Sequence, residues 1–109
     1  MSETIVIRVN ESADHSGMSF SEWLDRGRKW WKTRADRVLN ADRLVVLDIG
    51  HRVMAVGTVV GVLKDVPNGS GRVSIEVHPE PGSDLLGKRI RRNSSRNPVG
   101  YVREIEVID

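Results

Sequence analysis

The sequence predicts a single α+β domain over residues 1–109: a small, mixed and curled β-sheet that tends towards a β-barrel, with one amphipathic helix packed against it. Three observations favour this fold. A strand pattern opens the chain, one helical pattern follows it, and β-branched segments joined by short turns fill the remainder. A chain of 109 residues can bury a core of its own, and without cysteine it holds neither disulfides nor thiolate metal sites.

The first third of the chain reads as a strand, a loop and a helix. Residues 4–9 alternate between apolar and polar side chains, as in a strand with one buried face, whereas residues 11–17 are polar and aperiodic. Ser19 and Glu22 have the spacing of a capping box, so a helix of about 14 residues should begin there. Gly27 inside that helix indicates that its backbone lies close against another element. The apolar helix face consists of Phe20, Trp23, Leu24, Gly27, Trp30 and Trp31.

The rest of the chain consists mainly of β-segments. Gly57 and Gly61 interrupt a long β-branched run, which indicates a bulge or a bend of the kind that curls a small sheet. An Asn-Gly turn lies within residues 66–71, and residues 83–86 can form one helical turn. The predicted β-segments are residues 43–47, 53–63, 72–78 and 101–108.

Basic residues are concentrated in two segments. The formal net charge of +2 does not by itself argue for a nucleic-acid partner. Segment 26–37 and loop 88–96 are nevertheless rich in lysine and arginine, and the loop contains no acidic residue. A basic loop between two strands presents a positive field on a rigid support, so we expect contact with an anion; a solvated charged surface is the alternative. The candidate contact residues are Lys88, Arg89, Arg91, Arg92 and Arg96, with Arg28, Lys32 and Trp31 from the helix.

The tryptophans have two expected roles. Trp23 and Trp30 are expected to anchor the helix in the core, because they lie on its apolar face. Adjacent residues of a helix point about 100° apart, so Trp31 is the candidate for an exposed side chain. An exposed tryptophan is typical of a platform that stacks a base and of an anchor in a protein interface.

The sequence contains no recognisable pattern for catalysis or cofactor binding. Residues 82–88 match the start of the phosphate-binding loop of NTPases, but Arg89 replaces the hydroxyl that would hold Mg²⁺. His15, His51 and His78 lack the spacing of metal ligands, and no serine lies in a nucleophile elbow. We therefore expect no enzyme, no cofactor and no bound metal.

Three stretches of the chain carry a family resemblance. Residues 42–59 run from a branched strand through a glycine-containing turn to Met-Ala-Val-Gly-Thr-Val. Residues 87–90 read Gly-Lys-Arg-Ile, and residues 97–102 read Asn-Pro-Val-Gly-Tyr-Val. This layout resembles the PUA-like superfamily of small β-barrels, which includes the EVE, ASCH, YTH and SRA groups. The resemblance is one of pattern, and it implies binding of RNA or modified DNA, in several members with a base flipped into an aromatic-lined pocket.

The favoured prediction is a non-catalytic, nucleic-acid-binding PUA-like module that contacts the phosphate backbone through loop 88–96. The alternative is a small protein-interaction or regulatory factor, such as one of phage or mobile-element origin, on the same barrel without a working nucleotide pocket. That alternative is suggested by the predicted barrel strands, which carry neither tryptophan nor phenylalanine. The N-terminus lacks the pattern of an export signal, and no stretch is apolar enough for a membrane span, so a cytoplasmic protein is expected.

Overall fold

The computed structural model describes residues 3–66, 69–92 and 97–108, with the side chains of residues 14 and 15 excepted. In chain order the described elements are β1 (Glu3–Arg8), α1 (Ala13–Ser16), α2 (Phe20–Arg28), α3 (Ala35–Leu39), β2 (Ala41–Leu47), β3 (Val53–Lys64), β4 (Val73–Pro79) and β5 (Val99–Val102). The strands form one mixed sheet in the order β4-β3-β2-β1-β5. The predicted α+β class is therefore confirmed. No helix among these elements has the length and apolarity needed to cross a membrane.

The sheet has a buried core on each face. Strand β1 runs parallel to β2, and the other strand pairs are antiparallel. Because successive side chains of a strand point to opposite faces, Ile5 and Ile7 belong to one core and Val6 to the other. The helix-side core contains Trp23, Leu24, Val38, Leu44, Val46 and Ile75, and the loop-side core contains Val45, Leu47, Val53, Val56 and Ile90. The central strands are consequently apolar almost throughout, as expected of strands buried on both faces.

Helix α2 is fixed at its start by the predicted capping box and lies close to the sheet at Gly27. The Glu22 N–H donates to Ser19 Oγ, and the Ser19 N–H donates to Glu22 Oε1, each over 3.3 Å. A Cβ atom at position 27 would lie 2.7 Å from Cγ1 of Val46, closer than a normal carbon contact. The close approach expected from Gly27 is therefore confirmed, and it explains a glycine inside this helix.

Helix α2 is shorter than the tryptophan spacing predicted. It covers 9 residues and ends at Arg28, because the next backbone groups bind elsewhere. The N–H and C=O of Trp31 pair with the C=O and N–H of Val73, both over 2.9 Å. The Trp31 indole Nε1–H also donates to the Gly27 carbonyl over 2.9 Å, which satisfies an acceptor near the helix end. The apolar spacing in the sequence therefore extends past Arg28, but the helix does not.

Other boundaries also differ from the predictions. The predicted loop at 11–17 contains helix α1, whose first N–H, at Ala13, donates to Asp48 Oδ2 over 3.2 Å. Residues 83–86 form hydrogen-bonded turns rather than a helical turn. The terminal strand is β5, and within the predicted 101–108 segment the later part forms a bridge between Val107 and Ile90. The bulge is confirmed by a register shift between Val59 and Gly61, whereas residues 67 and 68 of the Asn-Gly turn lie outside the described residues.

The segment after α2 spans between the two edge strands on the helix side of the sheet. Trp31 pairs with Val73 in β4, and two residues later Thr33 Oγ1 lies 2.6 Å from the hydroxyl of Tyr101 in β5. In the described part of the chain, the sheet is open, because its edge strands β4 and β5 do not pair with each other. Residues 31–33 thus contact both sheet edges without adding a strand that joins them.

Candidate nucleic-acid interface

The described part of the basic loop, residues 88–92, is an extended segment attached to its neighbours by backbone hydrogen bonds. The Lys88 carbonyl accepts from the Val53 N–H over 2.8 Å, and the Ile90 N–H donates to the His51 carbonyl over 3.2 Å. On its other edge, the Arg91 N–H donates to the Glu106 carbonyl over 2.8 Å. Ile90 is 1% exposed and lies in the loop-side core. In an extended segment, the residues on either side of a buried position point outward, so Ile90 anchors a strip that presents Arg89 and Arg91.

Asp48 organises the turn against which this strip lies. Its Oδ1 accepts from the Gly50 N–H and the Arg52 N–H, each over 2.9 Å, while Oδ2 accepts from Ala13. The carboxylate is 7% exposed, and the turn places His51 in the left-handed region at φ 68°. One side chain therefore holds the backbone of this turn, and the carbonyls of Gly50 and His51 in turn accept hydrogen bonds from the strip.

The turn, the end of β1 and the strip bring basic side chains together into what we call the cationic cluster. The register of β1 and β2 places Arg8 opposite Leu47, next to the Asp48 turn. Arg52 Nη1 donates to the Gly87 carbonyl over 2.5 Å, and Arg89 Nε donates to the Gly50 carbonyl over 3.1 Å. Arg92 donates to the Asn97 carbonyl. The cluster consists of Arg8, His51, Arg52, Arg89 and Arg92, and Lys88 precedes Arg89 in the strip.

The electrostatics of the cluster reflect this crowding of positive charge. Burial lowers the pKa of His51 below its ordinary value, and the nearby charges of Arg92, Arg8 and Arg89 lower it further, against an opposing effect of Asp48. Burial also lowers the pKa of Arg92, and the charge of Arg8 adds to the shift. Like charges held this close repel one another, so a bound anion would relieve the repulsion.

The two predicted basic segments do not join into one surface. Arg28 lies beside β4, where it donates to Ser74 Oγ over 3.1 Å and pairs with Glu76 over 3.3 Å and with Asp25 over 2.9 Å. Trp31 pairs with Val73 of the same strand, and its partly buried side chain packs against the helix-side core, so the prediction that Trp31 is the exposed tryptophan is wrong. Lys32, by contrast, lines a cleft beside β5. Sequence reasoning grouped these three residues, but the structure separates them between opposite sheet edges.

The remaining predicted residues have distinct positions. Arg91 pairs with Glu106 over 3.0 Å, with both side chains well exposed. Arg96 lies outside the described residues. Trp23 is buried as predicted, but the prediction that Trp30 is a core anchor is wrong, since its exposed fraction is 40%. Trp30 follows the end of α2 at Arg28, so the helical spacing that placed it on the buried face no longer applies.

A second cationic feature lies at the edge strand β5. A cleft of about 310 Å³ is lined by Lys32, Thr33, Arg34, Arg37, Asn97, Val99, Gly100 and Tyr101. The guanidinium carbon of Arg37 lies 4.0 Å from the centre of the Tyr101 ring. Burial raises the pKa of Tyr101, against the opposing effects of its hydrogen bond to Thr33 and the charge of Arg37. A smaller cleft, of about 180 Å³, is lined by Arg92 and Val6 and shares its β5 residues with the first.

The described side chains do not suggest a metal site, because no group of 3 or more His, Cys, Asp or Glu residues among them is placed to hold an ion. Comparison of the chain with protein-family models, with curated proteins and with solved structures yields no match. The resemblance to the PUA-like superfamily therefore stays a prediction.

Sequence reasoning missed Arg8, Arg52 and the organising role of Asp48. Arg8 reaches the cluster through the parallel pairing of β1 with β2, and Arg52 through its bridge to Arg89, and the linear sequence displays neither contact. Asp48 carried a usable signal, since an aspartate two residues before a glycine is typical of a turn in which the carboxylate accepts a backbone N–H.

Proposed function

We propose that this chain is a non-catalytic nucleic-acid-binding module whose cationic cluster contacts the phosphate backbone. The observation that carries the proposal is the placement of Arg8, His51, Arg89 and Arg92 at the Asp48 turn, where burial, and then neighbouring positive charge, lowers the pKa values of His51 and Arg92. A phosphate within this field replaces repulsion with attraction and releases counterions from the nucleic acid. The strip and the Asp48 turn hold these side chains on backbone that is hydrogen-bonded on both edges, so little ordering is required on binding.

The PUA-like barrel remains part of the proposal. The bulge in β3 and the contacts of residues 31–33 with both edge strands support a curled sheet. A cytoplasmic location, and RNA or modified DNA as the ligand, belong to the same proposal. Arginine and lysine support contact with the phosphate backbone, and such contacts carry no sequence information by themselves.

The test compares two variants that remove the same charge from different places. Lys88→Gln/Arg89→Gln removes two positive charges from the strip, one from Arg89 in the cationic cluster and one from the adjacent Lys88. Lys29→Gln/Lys64→Gln removes two from exposed positions outside it, near Asp25 and at the end of β3. Fluorescence anisotropy at about 50 mM salt measures the affinity of each protein for labelled RNA and DNA.

We expect the cluster variant to bind at least about tenfold more weakly than the control, because two phosphate contacts are lost. Thermal unfolding of both variants verifies that they are folded. Equal weakening in the two variants would contradict the assignment of the site. Absence of binding by the unsubstituted protein at this salt concentration would contradict the function itself and favour the protein-interaction alternative.

A further inference from the structure

We propose that the ligand is a single-stranded nucleic acid, and that it passes around the edge of β5 from the cationic cluster to the cleft containing Lys32 and Tyr101. This inference rests on the proposed function and specifies its substrate class. It starts from the position of positive charge on both faces of one edge strand. For brevity, the cleft that Lys32 and Tyr101 line is called the β5 cleft.

The alternation of β5 side chains separates the two faces. Val99 and Tyr101 pack against the helix-side core, whereas Val102 packs against the loop-side core. A Cβ atom at Gly100 would lie 3.8 Å from Nη2 of Arg92, so Arg92 lies over the loop side of the strand. Arg37 lies over the Tyr101 ring on the helix side. Cations therefore lie on both sides of a single strand.

Among the described residues, no strand pairs with the outer edge of β5, which lies between these cations. The Arg8 N–H donates to the Pro98 carbonyl over 2.9 Å, which sets the hydrogen-bonding phase of the antiparallel pair. Gly100 and Val102 consequently face β1, whereas the N–H and C=O of Tyr101 point away from it. Groups at this edge can hydrogen-bond a sugar or a base edge, in the way that edge strands receive extended ligands.

The placement favours a single strand over a duplex. Double-stranded DNA has a persistence length of about 50 nm, so it cannot bend sharply around the edge of one β-strand. A single strand can do so, with phosphates on the cluster and on Lys32 and a base against the outer plane of the Arg37 guanidinium. The structure holds that plane in place by the Tyr101 ring and by the pairing of Arg37 with Glu3 over 3.5 Å.

The chemistry of the β5 cleft also favours a nucleic acid over an acidic peptide. Arg34 already pairs with Asp36 over 2.7 Å, and Arg37 pairs with Glu3. A further carboxylate at either guanidinium would therefore compete with the carboxylate already beside it. In the part of the chain that the structure describes, Lys32 forms no ion pair, which leaves a point charge beside a stacked planar group. That combination suits a phosphate next to a base.

The experiment measures binding of one mixed-sequence oligonucleotide of about 12 nucleotides, as a single strand and as a duplex, to the full chain. The variants are Lys32→Gln and, as the matched control, Lys29→Gln, whose lysine pairs with Asp25 away from the β5 cleft. We expect the single strand to bind at least about tenfold more tightly than the duplex, and Lys32→Gln to weaken it about threefold to tenfold. Lys29→Gln should leave the affinity unchanged.

Three outcomes overturn the inference. The first is duplex binding as tight as single-strand binding, and the second is no greater effect of Lys32→Gln than of Lys29→Gln. The third is displacement of the oligonucleotide by polyglutamate of equal charge as readily as by unlabelled single strand. In each case, binding that is still lost in Lys88→Gln/Arg89→Gln leaves the proposed function intact, whereas a failure of the unsubstituted protein to bind either form removes both.

Discussion

Segment 26–37 and strip 88–92 are similarly basic in sequence but differ in what surrounds their charges. In the first segment, arginines form ion pairs with carboxylates: Arg26 with Glu11, Arg28 with Asp25 and Glu76, Arg34 with Asp36, and Arg37 with Glu3. In the strip, Arg91 pairs with Glu106, whereas Arg89 and Arg92 lie near Arg8 and His51, where neighbouring positive charge adds to the lowering of pKa values. A run of basic residues therefore does not identify a binding surface until the neighbouring carboxylates are known.

Substitutions in the two regions should have different effects on stability and binding. Charges of the first segment that are paired across elements attach α2 and α3 to the sheet, so changes there should affect stability more than binding. Under the proposed function, the cluster charges of the strip contact phosphates, so changes there should affect binding more than stability. Lys32 and Arg37 are the exception inside the first segment, because they line the β5 cleft.

Asp48 supports the binding region, and its loss should give the largest effect. Asp48→Ala leaves the N–H groups of Ala13, Gly50 and Arg52 without their acceptor. We expect the free energy of unfolding to fall by about 2–4 kcal/mol. Binding should weaken as well, since the turn no longer positions Arg89. Urea unfolding followed by tryptophan fluorescence measures the change.

The matched control is Asp48→Asn, which retains the oxygen that accepts from Gly50 and Arg52. It should lose clearly less stability than the alanine variant. A loss below about 0.5 kcal/mol in Asp48→Ala would show that the turn does not depend on this carboxylate.

Gly27→Ala tests the attachment of α2 to the sheet. The added methyl would lie 2.7 Å from Cγ1 of Val46, and Val46 is fully buried. We expect a loss of about 1–3 kcal/mol in the free energy of unfolding, because overpacking outweighs the higher helix propensity of alanine. Affinity per folded molecule should not change.

Gly82→Ala provides the control, because nothing lies within 4 Å of the added methyl there. It should leave stability within about 0.5 kcal/mol of the original chain. If Gly27→Ala is as stable as Gly82→Ala, the close approach of α2 to β2 is wrong.

Gly27 and the tryptophans show which features of the structure could be predicted from the sequence and which could not. Gly27 was interpretable from sequence because a glycine destabilises the interior of a helix, so its presence there indicates a close neighbour that leaves no room for a side chain. The exposure of Trp30 could not be predicted from sequence, because the end of α2 is set by hydrogen bonds between Trp31 and Val73, which lie far apart in the chain. Loop 88–96 was recognisable from composition, but its neighbours Arg8 and Arg52 depend on strand order. Local patterns therefore predicted the elements, while long-range pairing determined the site.

Arg28→Gln and Arg89→Gln give a reciprocal test of the comparison. Arg28 contacts Ser74, Glu76 and Asp25, and its side chain is 25% exposed, so its replacement should lower the free energy of unfolding by about 1 kcal/mol. Arg89 is exposed, so its replacement should change stability by less than about 0.5 kcal/mol. Urea unfolding and anisotropy are measured on both. Only Arg89→Gln should weaken binding, and the opposite assignment of effects would contradict the account.

The smallest expected effect is the pH dependence due to His51. Its pKa in the folded protein is lowered from 6.5, so below that pH the unfolded chain takes up a proton more readily. The free energy of unfolding should therefore fall as the pH decreases from 6.5 to the folded-state value. A bound phosphate favours the charged imidazole, so affinity should rise over the same interval.

His51→Asn removes this titration, and asparagine tolerates the left-handed backbone at φ 68°. Unfolding and binding are measured at several pH values for both proteins. The variant should show a weaker pH dependence of each quantity. Identical pH profiles in the two proteins would mean that the titration of His51 affects neither stability nor binding.

The most direct test of the central claim is the slope of log affinity against log salt concentration for a single-stranded oligonucleotide. Each phosphate contact on a single strand contributes about 0.7 to the magnitude of this slope. Lys88→Gln/Arg89→Gln should reduce that magnitude by about 1.4, whereas Lys29→Gln/Lys64→Gln should leave it unchanged. An equal slope in all three proteins would contradict the claim that the cationic cluster, and not basic charge in general, contacts the phosphates.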